Sequence, residues 1–179
     1  ISTGPNFSST ADGSVLSVAT LAAALNAGNS VTVATATAGA NTQAGNILAD
    51  SIALSVNPPS PVSLTLDAHA DILISNSSLV STGAALTLNF DATTGIHLDH
   101  VTVNAAGGDL IFGSSRDICT ALQGCQTMIS TLAQPGGFAG LRIDASTLDA
   151  GRIFGGGSAL GSTTATRIAD STLRARDIG

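Results

Sequence analysis

The 179 residues contain no Lys, no Glu, no Trp and no Tyr. All six cations are Arg and all twelve acids are Asp, so charged residues make up 10% of the chain, against roughly 25% in ordinary globular proteins. Helical proteins cover their surfaces with Lys and Glu, which are strong helix formers. A surface of Ser, Thr, Asn and Asp suits strands and turns instead. Aromatic residues amount to 3%, so any core is packed from small and β-branched side chains. Positive charge is scarce and late: residues 1–115 carry no Arg, and the net charge is −6. Nucleic acid is therefore not an expected partner, because phosphate binding rests on clustered Lys and Arg. No apolar run reaches the ~18 residues that would cross a bilayer, so the chain is not expected to span a membrane. Its start, "ISTGPNFSST", has neither an initiator Met nor a basic n-region and is not a signal peptide. The expectation is a segment cut from a longer chain.

What is present is apolar (44%) and sufficient for the core of one domain. It alternates with period 2, as half-buried strands do. "VTV" (31–33 and 101–103), "VSLTL" (62–66), "LTLNF" (86–90), "IHL" (96–98) and "LRI" (141–143) are each three to five residues long. Gly, Asn, Asp and Ser separate them, where turns need residues tolerant of φ > 0. Many short strands with frequent turns imply an all-β fold.

The runs recur. "SLTLDA" (63–68) is echoed by "ALTLNFDA" (85–92), with Leu64 to Leu86 a step of 22. "LRIDASTLDAGRIF" is echoed 25 residues later by "RIADSTLRARDIG", which sets Ile143, Ser146, Thr147, Leu148 and Ile153 on Ile168, Ser171, Thr172, Leu173 and Ile178. Corner positions follow at Asp50, Asn76, His100, Ala145 and Asp170; the 45-residue step from His100 to Ala145 suggests a degenerate rung between them. A period of 22–26 residues built from short strands is the mark of a solenoid. Leucine-rich repeats share the period but need an L-x-x-L-x-L frame, which is absent. The predicted fold is a right-handed parallel β-helix with three strands per rung, roughly seven rungs over ~35 Å. Leu64, Leu66, Leu86, Leu88, Ile143, Leu148, Ile168 and Leu173 are its expected core ladder. A single β-helical segment spans 1–179. "SVATLAAALNAGNS" predicts a short helix over 18–27, capped by Ser17 or Thr20 and stopped at Gly28. Residues 57–61, "NPPSP", and 117–137 are expected as extruded loops.

Few residues invite chemistry. Cys119 and Cys125 form a C-x5-C pair, the wrong spacing for a zinc knuckle; a short-loop disulfide is suspected, implying an oxidising compartment. His69, His97 and His100 are not spaced as ligands on one strand face, so no metal is expected. Asp67 and Asp91 follow matching strands, with Asp71 and Asp99 nearby. Paired carboxylates on a β-helix face could hydrolyse a glycosidic bond, but Asp is also a turn residue, and no Arg stands near them in sequence. No catalytic residue and no cofactor is expected. "GGGSALG" (155–161) lacks the trailing Lys of a phosphate loop, and Thr-x-Thr occurs too sporadically for an ice-binding face.

"VATLAAALNAGNSVTVATATAGANTQAGNI" and "SLTLDAHADILISNSSLVSTGAALTLNFDA" carry a resemblance. An alternating segment, a Leu/Ala helix, Ala-Gly-Asn, Val-Thr-Val and Gly-Asn-Ile follow in the order found in filamentous haemagglutinin-like exoproteins. The chain resembles that family over about residues 14–112; the cysteine stretch departs from its plain repeats. The resemblance implies a right-handed β-helix, exported by an outer-membrane two-partner transporter and secreted or held at the surface of a Gram-negative bacterium. It implies an adhesin with a surface glycan or protein receptor, or the stalk of a contact-dependent toxin system. A polysaccharide-active β-helix enzyme is the alternative that the Asp pairs suggest.

Overall fold

The computed structural model describes residues 5–35, 45–92, 95–113, 140–155 and 167–178. It is a parallel β-solenoid. Strand β1 (Asn6–Ser8) and helix α1 (Val18–Asn26) precede the first turn, formed by β2 (Val31–Ala34), β3 (Ile47–Asp50) and β4 (Ala53–Val56). The second turn is β5 (Val62–Ala68), β6 (Asp71–Ser75) and β7 (Ser78–Ser81); the third is β8 (Leu86–Ala92), β9 (Gly95–Asp99) and β10 (Thr102–Asn104). The fourth is β11 (Leu110–Gly113), β12 (Gly140–Asp144) and β13 (Thr147–Asp149). The fifth is β14 (Arg152–Gly155), β15 (Arg167–Ala169) and β16 (Thr172–Arg174), after which β17 (Asp177–Ile178) begins a further rung. Stacking generates three sheets, ordered β1-β2-β5-β8-β11-β14-β17, β3-β6-β9-β12-β15 and β4-β7-β10-β13-β16.

The alternating sequence places one residue in two inside. In the first sheet Leu64, Leu88, Leu110 and Ile153 stack in one inward column; in the third, Leu54, Leu79, Val103 and Leu148 form another. All are buried, as are Leu66, Leu86 and Ile143. Like sits on like because every inward residue meets its equivalent one rung away, at ~4.8 Å. Phe90 and Phe112 show the same logic, stacking with ring centroids 5.1 Å apart and planes 11° from parallel. Ile168 departs from the expected ladder: it stacks on Ile143 but is 47% exposed. Its strand β15 is the edge of the second sheet, so among the described residues a neighbouring rung covers one side of it alone. Leu173, on the edge strand β16, is half-buried for the same reason.

Three registers differ from the sequence reading. Leu64 faces Leu88, and Val62 faces Leu86, so this step is 24 rather than 22. A two-residue slip keeps every side chain on its own face, which is why the shorter alignment looked equally good. Ser51, not Asp50, is the equivalent of Asn76, since Asp50 pairs with Ser75. The 45-residue step holds no extra rung: Leu98 pairs directly with Ile143, and Val103 with Leu148. The additional residues lie between β11 and β12, in the same turn, so the described residues make five complete turns rather than seven. Residues 117–137, with Cys119 and Cys125, lie outside the described residues.

Helix α1 begins where predicted. The Ser17 hydroxyl accepts the Thr20 N–H at 3.1 Å, and Gly28, at φ +82°, closes the other end with its N–H on the Leu25 carbonyl. Leu21 and Leu25 turn into the core, and the helix packs on β4, the edge of the third sheet. Residues 57–61 link β4 to β5; the Pro58 carbonyl accepts the Ala84 N–H at 3.0 Å, so this corner is tied to the rung above.

Candidate functional site

The corner between the second and third sheets repeats most strictly. Ser51, Asn76, His100, Ala145 and Asp170 occupy it on five successive turns, all at positive φ between 46° and 56°. The first four each donate their N–H to the next rung: Ser51 to Ser75, Asn76 to Asp99, His100 to Asp144 and Ala145 to Ala169. Such left-handed geometry favours Asn and Asp among non-glycine residues, yet here Ser, His and Ala also take it. The stacked backbone bonds impose the conformation. The following residue turns inward. Ser77, Ser146 and Ser171 use it to accept an N–H from a neighbouring rung: from Ile52 at 3.1 Å, Val101 at 3.0 Å and Ser146 at 3.1 Å. Each hydroxyl then donates to a carbonyl two residues back, on Ser75, Asp144 and Ala169. Buried polar groups are thereby satisfied without leaving the rod.

This corner presents the outer face of the third sheet as an ordered polar surface. Ser78, Thr102, Thr147 and Thr172 form one outward column, and Val80, Asn104, Asp149 and Arg174 form the column beside it. From Thr102 onward every one of these side chains is exposed. The first column was half-visible in the sequence as the recurring Ser/Thr before Leu/Val; its straightness was not. On the neighbouring face of the first sheet, Arg152 grips Asp109 across a rung boundary through two bonds, Nε to Oδ1 at 3.1 Å and Nη2 to Oδ2 at 2.6 Å.

The histidines stay apart. His97 faces outward, its Nε2 3.4 Å from Asp144 Oδ2. His100 occupies the positive-φ corner and bonds its neighbour Asp99 at 2.7 Å. His69 lies exposed in the turn after β5, its N–H on the Thr35 hydroxyl at 2.8 Å. Among the described residues, no three His, Cys, Asp or Glu side chains converge as a metal centre.

Asp67 and Asp91 are brought together. They pair in register on β5 and β8, on the outward face. Asp91 is nevertheless only 2% exposed, and neither of its carboxylate oxygens has a hydrogen-bond partner among the described residues. Burial, reinforced by the Asp67 charge, pushes its carboxyl up to about 7; burial also raises Asp67. Asp71 and Asp99, grouped with them by sequence, sit on β6 and β9 of the second sheet instead. An outward parity predicts exposure, so the burial of Asp91 left no mark in the sequence.

No helix among the described residues is long and apolar enough to cross a membrane. Comparison with protein-family models, with curated proteins and with solved structures returned no match.

Proposed function

We propose that this chain is a structural and adhesive module, a β-solenoid segment of a secreted or surface-exposed bacterial haemagglutinin-like adhesin, exported through an outer-membrane transporter. One observation carries the reading: the outer face of the third sheet repeats exposed Thr, Asn and Asp side chains in straight columns over successive turns. A surface that repeats along a rod offers many equivalent weak contacts. Multivalent contact of that kind is what adhesion to a glycan or protein coat requires. The apolar ladder beneath supplies the stiffness that keeps the columns straight, since each rung depends on its neighbours.

A polysaccharide-active enzyme is the second reading, favoured by the in-register stack of Asp67 and Asp91. Its geometry suits catalysis poorly. A glycosidase holds its two carboxyl groups on either side of the scissile bond, whereas these two project side by side from adjacent strands. With Asp91 buried, one member of the pair is out of reach of a polymer.

The two readings separate in one experiment. The purified chain is immobilised and tested against a panel of glycans and cell-surface proteins, while polysaccharide depolymerisation is followed in parallel. The adhesive reading expects saturable binding that falls when Thr102 and Thr147 are both changed to bulky Gln, with no turnover. Depolymerisation that disappears in Asp67→Ala would overturn it in favour of the enzyme. Binding that is unchanged by the paired Gln substitutions would show that this face is not the adhesive one.

A further inference from the structure

The stacked pair Asp67 and Asp91 has no place in an adhesive face, yet it is the least comfortable feature of the fold. Two like carboxylates lie one strand apart, about 4.8 Å at the backbone. One of them is buried with both oxygens unpartnered among the described residues. Buried carboxylates normally receive two or three donors. Here the described side chains around the pair supply none. The outward neighbours on the same strands, Thr65 and Asn89, are engaged with each other: Asn89 Nδ2 donates to Thr65 Oγ1 at 3.0 Å. One rung above, Gly113 follows in register. Among the described residues nothing lies within 4 Å of where a Cβ there would sit. The arrangement is, among the described residues, rich in oxygen acceptors and poor in donors.

We infer that Asp67 and Asp91 bind a divalent cation of the calcium type, bridged between adjacent rungs on the outer face of the first sheet. Acceptors without donors are what a cation needs and what a protein alone leaves unsatisfied. The donor set is all oxygen, with no Cys and no imidazole in the column, which suits a hard cation and not zinc or copper. Calcium tolerates irregular surroundings and takes six to eight oxygens, whereas magnesium demands a near-octahedral shell and keeps its waters. Two carboxylates supply part of a calcium shell and leave the remainder to water or backbone. Affinity in the range of ~0.1–1 mM follows, as in weak extracellular sites. The ion would turn the repulsion between rungs into a clasp, and the inference stands independently of adhesion.

The test is the melting temperature of the whole chain at about pH 8, where both carboxyls are ionised, in EDTA, in millimolar CaCl2 and in millimolar MgCl2. Calcium is expected to raise the midpoint by several degrees in a saturable manner, with magnesium doing less. Asp67→Asn and Asp91→Asn are each expected to abolish the calcium response, and Asp99→Asn, on the second sheet, to retain it. Because Asp91→Asn removes a buried charge, it folds more stably in EDTA than the parent, so a lost response is not a lost fold. Coincident melts in EDTA and calcium would overturn the inference and leave a carboxyl that simply holds a proton. So would a calcium response that survives in both variants.

Discussion

The hydroxyl of Ser146 accepts the N–H of Val101 at 3.0 Å, across 45 residues of sequence. Both residues are fully or nearly fully buried, and the same hydroxyl donates to the Asp144 carbonyl at 2.7 Å. Ser146→Ala keeps the volume but strands the Val101 N–H in the interior. An unsatisfied buried donor costs about 1–3 kcal/mol, so the melting temperature should fall by a few degrees. The sharper measurement is amide hydrogen exchange: the Val101 amide should lose protection far more than Leu54 and Leu79 lower in the same sheet. Equal protection in parent and variant would mean that this bond contributes nothing.

This pair also marks how far the sequence could be read. The echo of Ser146 by Ser171, and of Leu148 by Leu173, was legible because stacking demands like residues at like places, and both alignments hold in register. Helix α1 was legible through its cap and its two leucines. The 45-residue gap reads as two rungs in the sequence, because length alone cannot distinguish a missing repeat from residues inserted into one turn. The Leu64 register is ambiguous in the sequence because a two-residue slip preserves the face of every side chain. The candidate cation site was half-legible: Asp67 and Asp91 stand in matching "DA" pairs. Burial on an outward position, however, depends on what packs over it, which no periodicity encodes.

Asp91 makes stability depend on pH. Its carboxyl titrates near 7 in the folded chain and near 3.9 when unfolded. Between those values the folded state holds the extra proton, so stability falls as pH rises from about 4 through 7 and levels off above. Asp67, raised as well, acts in the same direction. The full difference corresponds to about 2–4 kcal/mol. In EDTA, melting temperatures taken across this window should decline for the parent. They should stay nearly flat for Asp91→Asn, which gains most at the alkaline end. A parent profile that rises from pH 5 to 8 would contradict the burial of this side chain.

Leu88 lies in the middle of the apolar column, between Leu64 and Leu110, and is 1% exposed. Leu88→Asp places an unpaired charge there, at a cost of several kcal/mol. Because each rung is held by its neighbours, the damage should spread over several turns, seen as early proteolytic cleavage and a broadened, lowered melt. Leu73, on the outward face of β6 and 37% exposed, is the control. Leu73→Asp should melt within a degree or two of the parent, since exposed substitutions change stability by roughly 0.5 kcal/mol or less.

Gly151 stands at the corner between the third and first sheets, its N–H on the Gly108 carbonyl at 2.7 Å. A Cβ added there would run into the carbonyl of Gly107, a backbone atom that cannot swing aside. Gly151→Ala should therefore push two rungs apart and destabilise the chain by about 1–3 kcal/mol, the usual penalty of overpacking. Gly113, with nothing within 4 Å of its would-be Cβ among the described residues, isolates the cause. There Gly→Ala restricts the unfolded chain without a clash and should leave stability unchanged or raise it by up to about 1 kcal/mol. Paired thermal melts decide the matter. If both alanine variants lose stability equally, the penalty belongs to backbone freedom in general. If Gly151→Ala alone falls, the close approach of neighbouring rungs at this corner sets how tightly the solenoid can coil.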